Sequence, residues 1–140
     1  MATPAESTFE LVQLVVGLGE RMRAHYASRA AELDLTPTQA HALRELTNGP
    51  LPMGELAARM ACDASNVTGV SDRLEARGLL LRGPSPGDRR VKVLTLTDEG
   101  HALHQELWRR LMHRSPASHG LDEQEQRTLR DLLRKLAAAG

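Results

Sequence analysis

Apolar residues recur at helical spacing along residues 9–33, where Leu11, Leu14, Val15, Leu18, Met22 and Tyr26 form one stripe with Val12 and Val16 beside it. The segment reads as one long helix. Its apolar face is wider than a helix covering one small core needs, so part of it is expected to meet another chain. A second helix is announced by Thr36 as N-cap, Pro37 at the first helical position and Gln39 completing a capping box, and it closes at Asn48, Gly49 and Pro50. Residues 53–61 predict a short third helix with Leu56, Ala57 and Met60 inward. Asp63 then caps a fourth that ends at Gly78. The break of about three residues between the third and fourth has helix-turn-helix spacing.

Residues 79–83 and 91–96 are apolar or β-branched and flank a Pro-Ser-Pro-Gly-Asp turn, which predicts a β-hairpin. Thr97 caps a fifth helix carrying Leu103, Leu107 and Leu111. Asp122 to Glu125 open a sixth with Leu129, Leu132, Leu133 and Leu136 at i, i+3, i+4 and i+7. The fold class is therefore mainly α with a small two- or three-stranded antiparallel β wing: a winged helix-turn-helix plus a helical dimerisation region. In a single compact domain, residues 36–96 are expected to be the DNA-binding region, and residues 1–35 with 97–140 the dimerisation region.

Composition narrows the class. Of the 140 residues, 41% are hydrophobic and 26% charged, as in ordinary globular proteins, while aromatics at 2% leave a core of Leu, Val, Ala and Met suited to helices. The apolar run from Leu11 to Leu18 is too short to span a bilayer, and the acidic start with Glu6 and Glu10 lacks a signal peptide's basic flank, so no membrane association and a cytoplasmic location are expected. A lone cysteine, Cys62, excludes an internal disulfide framework.

Net charge is zero, but it is unevenly spread. Residues 59–92 carry Arg59, Arg73, Arg77, Arg82, Arg89, Arg90 and Lys92 against Asp63, Asp72, Glu75 and Asp88, a local +3 that the remainder balances. Positive charge gathered in one stretch suits a nucleic-acid reader.

On a helical wheel the fourth helix puts Val67, Val70 and Leu74 on one side. Ser65, Gly69, Asp72, Arg73 and Ala76 lie on or near the other. That small, polar face can approach the floor of a major groove, where Ser65, Asn66 and Thr68 can hydrogen-bond base edges or phosphates and Arg73 can reach either. Alone, the same pattern describes a solvated amphipathic helix. The hairpin tip adds Asp88, Arg89 and Arg90, with Lys92 behind them, and adjacent arginines on an exposed tip suit the electronegative minor groove.

The run from Ser65 to Leu79 (Ser-Asn-Val-Thr-Gly-Val-Ser-Asp-Arg-Leu-Glu-Ala-Arg-Gly-Leu), then Asp88-Arg89-Arg90 and Leu94-Thr95-Leu96-Thr97-Asp98-Glu99-Gly100, resembles the MarR family of transcriptional regulators. The resemblance covers residues 30–112 by motif. It implies a homodimer in which the first, fifth and sixth helices interlock and two winged lobes reach consecutive major grooves of a pseudo-palindromic operator in double-stranded DNA. Residues 63–77 would be the recognition helix, Arg90 the wing arginine entering the minor groove and Asp88 a stabiliser of the wing turn. The candidate DNA-binding residues are thus Ser65, Asn66, Thr68, Gly69, Arg73, Asp88, Arg89 and Arg90. Asp72, which phosphates repel, is expected to orient Arg73 or Arg90 through an ion pair. The family also implies repression relieved by a small aromatic effector.

Other signals carry less. His101 and His104 share a helical face but lack a third ligand nearby, so they read as surface or interface histidines and no metal is expected. Cys62 reads as a buried packing cysteine rather than a redox sensor. Trp108, Met112 and Met22 suit either an effector pocket or core packing. Gly83, Gly87 and Gly100 are assigned to turns and the helix start. No catalytic triad, phosphate-binding glycine loop or carboxylate pair stands out, so neither enzymatic activity nor a cofactor is expected. A winged helix can also serve as a protein-interaction scaffold without touching DNA. Such a module has no need of Arg89 and Arg90 beside a small polar recognition face.

Overall fold

The structure is a computed structural model that describes residues 1–61 and 64–140, with side chains omitted at residues 64 and 65. The expectations for Cys62 and Asp63 lie outside the described residues, as does that for the Ser65 side chain. Six helices and three strands follow one another among the described residues: α1 (Pro4–Ala31), α2 (Pro37–Leu46), β1 (Leu51–Pro52), α3 (Met53–Arg59), α4 (Ala64–Ala76), β2 (Leu80–Pro84), β3 (Lys92–Leu96), α5 (Asp98–Met112) and α6 (Glu123–Ala139). This is the mainly α architecture with a small antiparallel wing that the sequence predicts.

The helix starts follow capping chemistry. At α2, Thr36 Oγ1 accepts the Gln39 N–H at 3.1 Å, and Gln39 Oε1 accepts the Thr36 N–H at 3.1 Å, with Pro37 supplying a preset φ. Asp122 and Glu125 make the same reciprocal pair at α6, at 2.8 and 2.9 Å. The start of α1 corrects the sequence reading. The Glu6 N–H donates to Thr3 Oγ1 at 3.2 Å and the Thr3 N–H to Glu6 Oε2 at 2.6 Å, so the helix begins at Pro4, five residues before the expected position. The Thr3-Pro4-Ala5-Glu6 string carried that signal. The apolar stripe, which starts later, concealed it.

Among the described residues, α1, α3, α4 and α5 are each followed by the left-handed conformation that usually takes glycine, at Asp34, Ala61, Gly78 and Arg114. After α4, Gly78 has φ +72° and the Leu79 N–H reaches back to the Leu74 carbonyl at 3.0 Å. After α1, Asp34 occupies that conformation at φ +55°, and the Leu35 N–H bonds to the Ala30 carbonyl at 2.9 Å.

The sheet order is β1-β3-β2, antiparallel throughout, with Leu51 opposite Leu94 and Leu80 opposite Leu96. The register puts Leu80, Leu94 and Leu96 on the buried face, whereas Leu81 and Thr95 face outward. Thr97 joins wing to helix: its hydroxyl donates to the Gly78 carbonyl at 2.6 Å and accepts the Gly100 N–H at 3.1 Å. Gly83 lies inside β2 rather than in a turn. Gly100 is required by close packing more than by the helix start, because a Cβ there would collide with the Leu79 carbonyl.

The chain forms two compact units, residues 26–111 and residues 1–25 with 112–140. These limits fall inside α1 and α5. Ala30, Leu107 and Leu111 belong to the core of the larger unit, which explains why its limits reach into those helices. That core also holds Leu43, Leu46, Leu56, Val67 and Leu74. In the smaller unit, Ser115 is buried and its hydroxyl lies 3.9 Å from Met22 Sδ, while α6 buries no residue at all. No helix among the described residues is long and apolar enough to cross a membrane.

Candidate nucleic-acid interface

The larger unit carries every candidate DNA-binding residue. Helix α4 buries Val67, Val70 and Leu74 and leaves Asn66, Thr68, Gly69, Asp72, Arg73 and Ala76 exposed. The inward stripe has helical spacing, and the outward positions between its members carry small or polar side chains. A helix end or face without bulk is what a major groove admits.

Asp88, Arg89 and Arg90 lie in the exposed loop between β2 and β3. The loop is tied at its base by the Ser85 N–H donating to the Val91 carbonyl at 2.9 Å, and the Asp88 carboxylate accepts the Arg90 N–H at 2.9 Å. Asp88 thereby shapes the tip that presents the two arginine side chains.

The seven cations of residues 59–92 divide into two groups. Arg59 pairs with Glu55 at 2.9 Å and lies 4.0 Å from Glu45. Arg77 donates from both terminal nitrogens to backbone carbonyls, Asp34 at 2.8 Å and Leu33 at 3.1 Å. Arg82 bonds Asp72 and lies 3.6 Å from Glu75. By contrast, the side chains of Arg73, Arg89, Arg90 and Lys92 make no ion pair or hydrogen bond among the described residues. The charge available to phosphates is therefore concentrated on α4 and the wing.

Arg82 corrects the expectation for Asp72. The Asp72 carboxylate engages Arg82 of β2, not Arg73 or Arg90. The pairing arises because β2 runs beside α4 and alternation sends the Arg82 side chain to the same sheet face as Leu80, toward that helix. Arg77 and Arg82 count toward the local +3 of residues 59–92, though neither is a candidate DNA-binding residue. Only their positions in the fold show them engaged within the lobe.

The remaining candidates also resolve. His104 stacks on Trp108 with ring centroids 6.2 Å apart, and burial next to His101 and Arg44 pushes its imidazole pKa down. No cluster of three metal-ligating side chains forms among the described residues. Trp108 and Met112 are 51% and 59% exposed, which removes core packing as their role in the isolated chain. Met22 is half-buried against Ser115.

Residues 35–92 match the family model described as the MarR family. The chain is 34% identical to the HTH-type transcriptional repressor NicR of Pseudomonas putida over 102 residues, covering 72% of this chain but less than two thirds, 65%, of NicR. It is 32% identical to the HTH-type transcriptional regulator FarR of Neisseria gonorrhoeae over 108 residues, 76% of this chain and 74% of FarR. The crystal structure of the YusO protein from Bacillus subtilis superimposes with a TM-score of 0.81 at 28% identity, covering 99% of this chain and 100% of that one. With the helix-turn-helix, the arginine-tipped wing and these likenesses in agreement, the chain belongs to the MarR family.

Proposed function

We propose that the protein is a homodimeric, sequence-specific DNA-binding transcriptional regulator that acts as a repressor in the cytoplasm, by occupying a pseudo-palindromic operator. The observation that carries this reading is the division of the cations. Four of them, Arg73, Arg89, Arg90 and Lys92, stand unengaged among the described residues, on a helix with a small polar outer face and on a wing shaped by Asp88. In this reading α4 enters the major groove with Ser65, Asn66, Thr68, Gly69 and Arg73, and Arg89 and Arg90 contact the adjacent minor groove. The names of NicR, a repressor, and FarR, a regulator, agree with it.

Homodimerisation accounts for the second region. Leu11, Val12, Leu14 and Val15 on α1 and Leu132, Leu133 and Leu136 on α6 are each at least half exposed in the single chain, an apolar surface that a second copy would cover. Two α4 helices about 34 Å apart would meet successive major grooves. A small aromatic effector that favours a different spacing would release the DNA.

A salt-dependent binding titration on the DNA upstream of the protein's own reading frame tests the reading. Arg90→Ala should cost about 1–3 kcal/mol of affinity and make the salt dependence shallower by about one contact. A flat salt response of the wild type would refute DNA binding. Titration of simple phenols and benzoates into the complex tests effector release, which falls if operator affinity never changes.

A further inference from the structure

Two arginines of the cation surplus in residues 59–92 are fastened to α4 or to the corner beside it. Arg77 follows the last turn of α4, and its two terminal nitrogens hold the Leu33 and Asp34 carbonyls at 3.1 and 2.8 Å. Those carbonyls belong to the corner where α1 ends, with Asp34 at φ +55°. A planar guanidinium can span two neighbouring carbonyls, whereas an ammonium offers one compact point charge. Arg82, on β2, reaches up to Asp72 and Glu75, one turn apart on the outer side of α4. The Arg82 side chain is only 20% exposed, and its Nε is buried, so it is committed to the lobe rather than to solvent.

Both attachments lie toward the C-terminal end of the helix but hold it in different directions, one from β2 and one from the corner after α1. The Arg82 attachment grips the side of the last turns, at Asp72 and Glu75, and resists rotation about the helix axis. The Arg77 attachment sits at the C-terminal end and resists tilt and sliding. On the DNA-binding reading above, on which this inference rests, small rotations of α4 decide which side chains meet base edges. We infer that Arg77 and Arg82 are positioning residues for the recognition helix, held by the α1–α2 corner and by the Asp72–Glu75 pair, and contact no phosphate. They set operator discrimination through the orientation of α4.

Charge and position predict opposite results at Asp72. Removing a carboxylate from a helix that faces phosphates should tighten binding if charge alone matters. It should weaken binding if the carboxylate anchors Arg82. The experiment measures fluorescence anisotropy of a labelled upstream duplex and of an unrelated duplex of equal length, across a salt series. It uses the full chain as wild type, Arg77→Met, Arg77→Lys, Arg82→Met, Asp72→Asn and, as the groove-contact reference, Arg90→Ala, each with its unfolding midpoint recorded.

The expected result is a loss of about tenfold on the upstream duplex for Arg77→Met, Arg82→Met and Asp72→Asn, with little change on the unrelated duplex and with the wild-type salt slope retained. Arg77→Lys keeps the charge and should recover only part of the loss. The inference is overturned if Arg77→Met or Arg82→Met makes the slope shallower by about one, as a lost phosphate contact would. It is equally overturned if Asp72→Asn tightens binding or leaves it unchanged, or if Arg77→Lys behaves as wild type. Should a methionine variant unfold, Asp72→Asn and Arg77→Lys decide the matter. If the wild type binds neither duplex in a salt-dependent way, the DNA reading itself fails and takes this inference with it. If Arg90→Ala behaves as a groove contact and Arg77→Met behaves the same way, the positioning inference alone fails.

Discussion

Residues 26–111 and the unit formed by residues 1–25 and 112–140 solve the burial of apolar side chains in different ways. The larger unit hides its own: every buried apolar residue among those described lies between Ala30 and Leu111, and Leu43, Leu74 and Leu94 are fully inaccessible. The smaller unit has leucines and valines in similar proportion but leaves most of them outside, with Leu14 63% and Leu136 64% exposed. Helix α6 is amphipathic with no buried residue. One region therefore carries a core sufficient to hold its elements together, while the other presents half of a core. The difference teaches that the same periodic pattern means folding in one place and, on the homodimer proposed above, association in another, according to whether the chain supplies the facing side.

The sharpest way to break this comparison is to charge the exposed stripe. Leu133→Asp is expected to convert the dimer to monomer in analytical ultracentrifugation and to lower operator affinity about 100-fold or more, since a monomer loses the linked second half-site. An unchanged oligomeric state would refute the assignment of this face to association. Within the larger unit, Leu43→Ala should cost about 2–5 kcal/mol of unfolding free energy through lost burial and a cavity. That loss, measured by denaturant titration, should be the same at every protein concentration, whereas the effect of Leu133→Ala should shrink as concentration rises.

Smaller effects refine the picture of the lobe. Gly100→Ala places a methyl against the Leu79 carbonyl and should cost about 1–3 kcal/mol, seen as a lowered thermal midpoint. The smallest effect is on pH dependence. Burial holds the His104 pKa below its ordinary value of 6.5, with His101 and Arg44 adding to the shift. The unfolded chain therefore takes up the proton first as pH falls. His104 contributes full stability above about 6.5 and loses it as pH drops through the depressed value. His104→Gln should flatten that acid limb in thermal melts at a pH series from 7.5 to about 5. A limb of wild-type steepness in the variant would show that other groups carry it.

Much of this was readable from the chain because the signals are local. Capping boxes at Thr36 and Asp122, the inward stripe of Val67, Val70 and Leu74 and the two strands flanking the wing turn are decided by residues within a few positions of one another. The candidate DNA-binding residues were chosen the same way, from side-chain size and charge along α4 and the wing. The early start of α1 was also local, but it was masked by the later onset of its apolar stripe.

The partners of Arg77, Arg82 and Asp72 were not readable, because ion-pair choice among exposed charges depends on which elements come to lie side by side. Arg77 meets carbonyls more than forty positions away, and Arg82 meets Asp72 across the packing of β2 on α4. Gly100 shows the same limit: its need for a missing Cβ arises only where α5 crosses the Leu79 carbonyl. By itself the sequence determined the helices, the wing, the family and the surplus of cations, since periodicity, caps and motif spacing are properties of neighbours along the chain. Which cations stand free and which hold the helix in place was decided only by the tertiary structure, since that depends on distances the sequence does not contain.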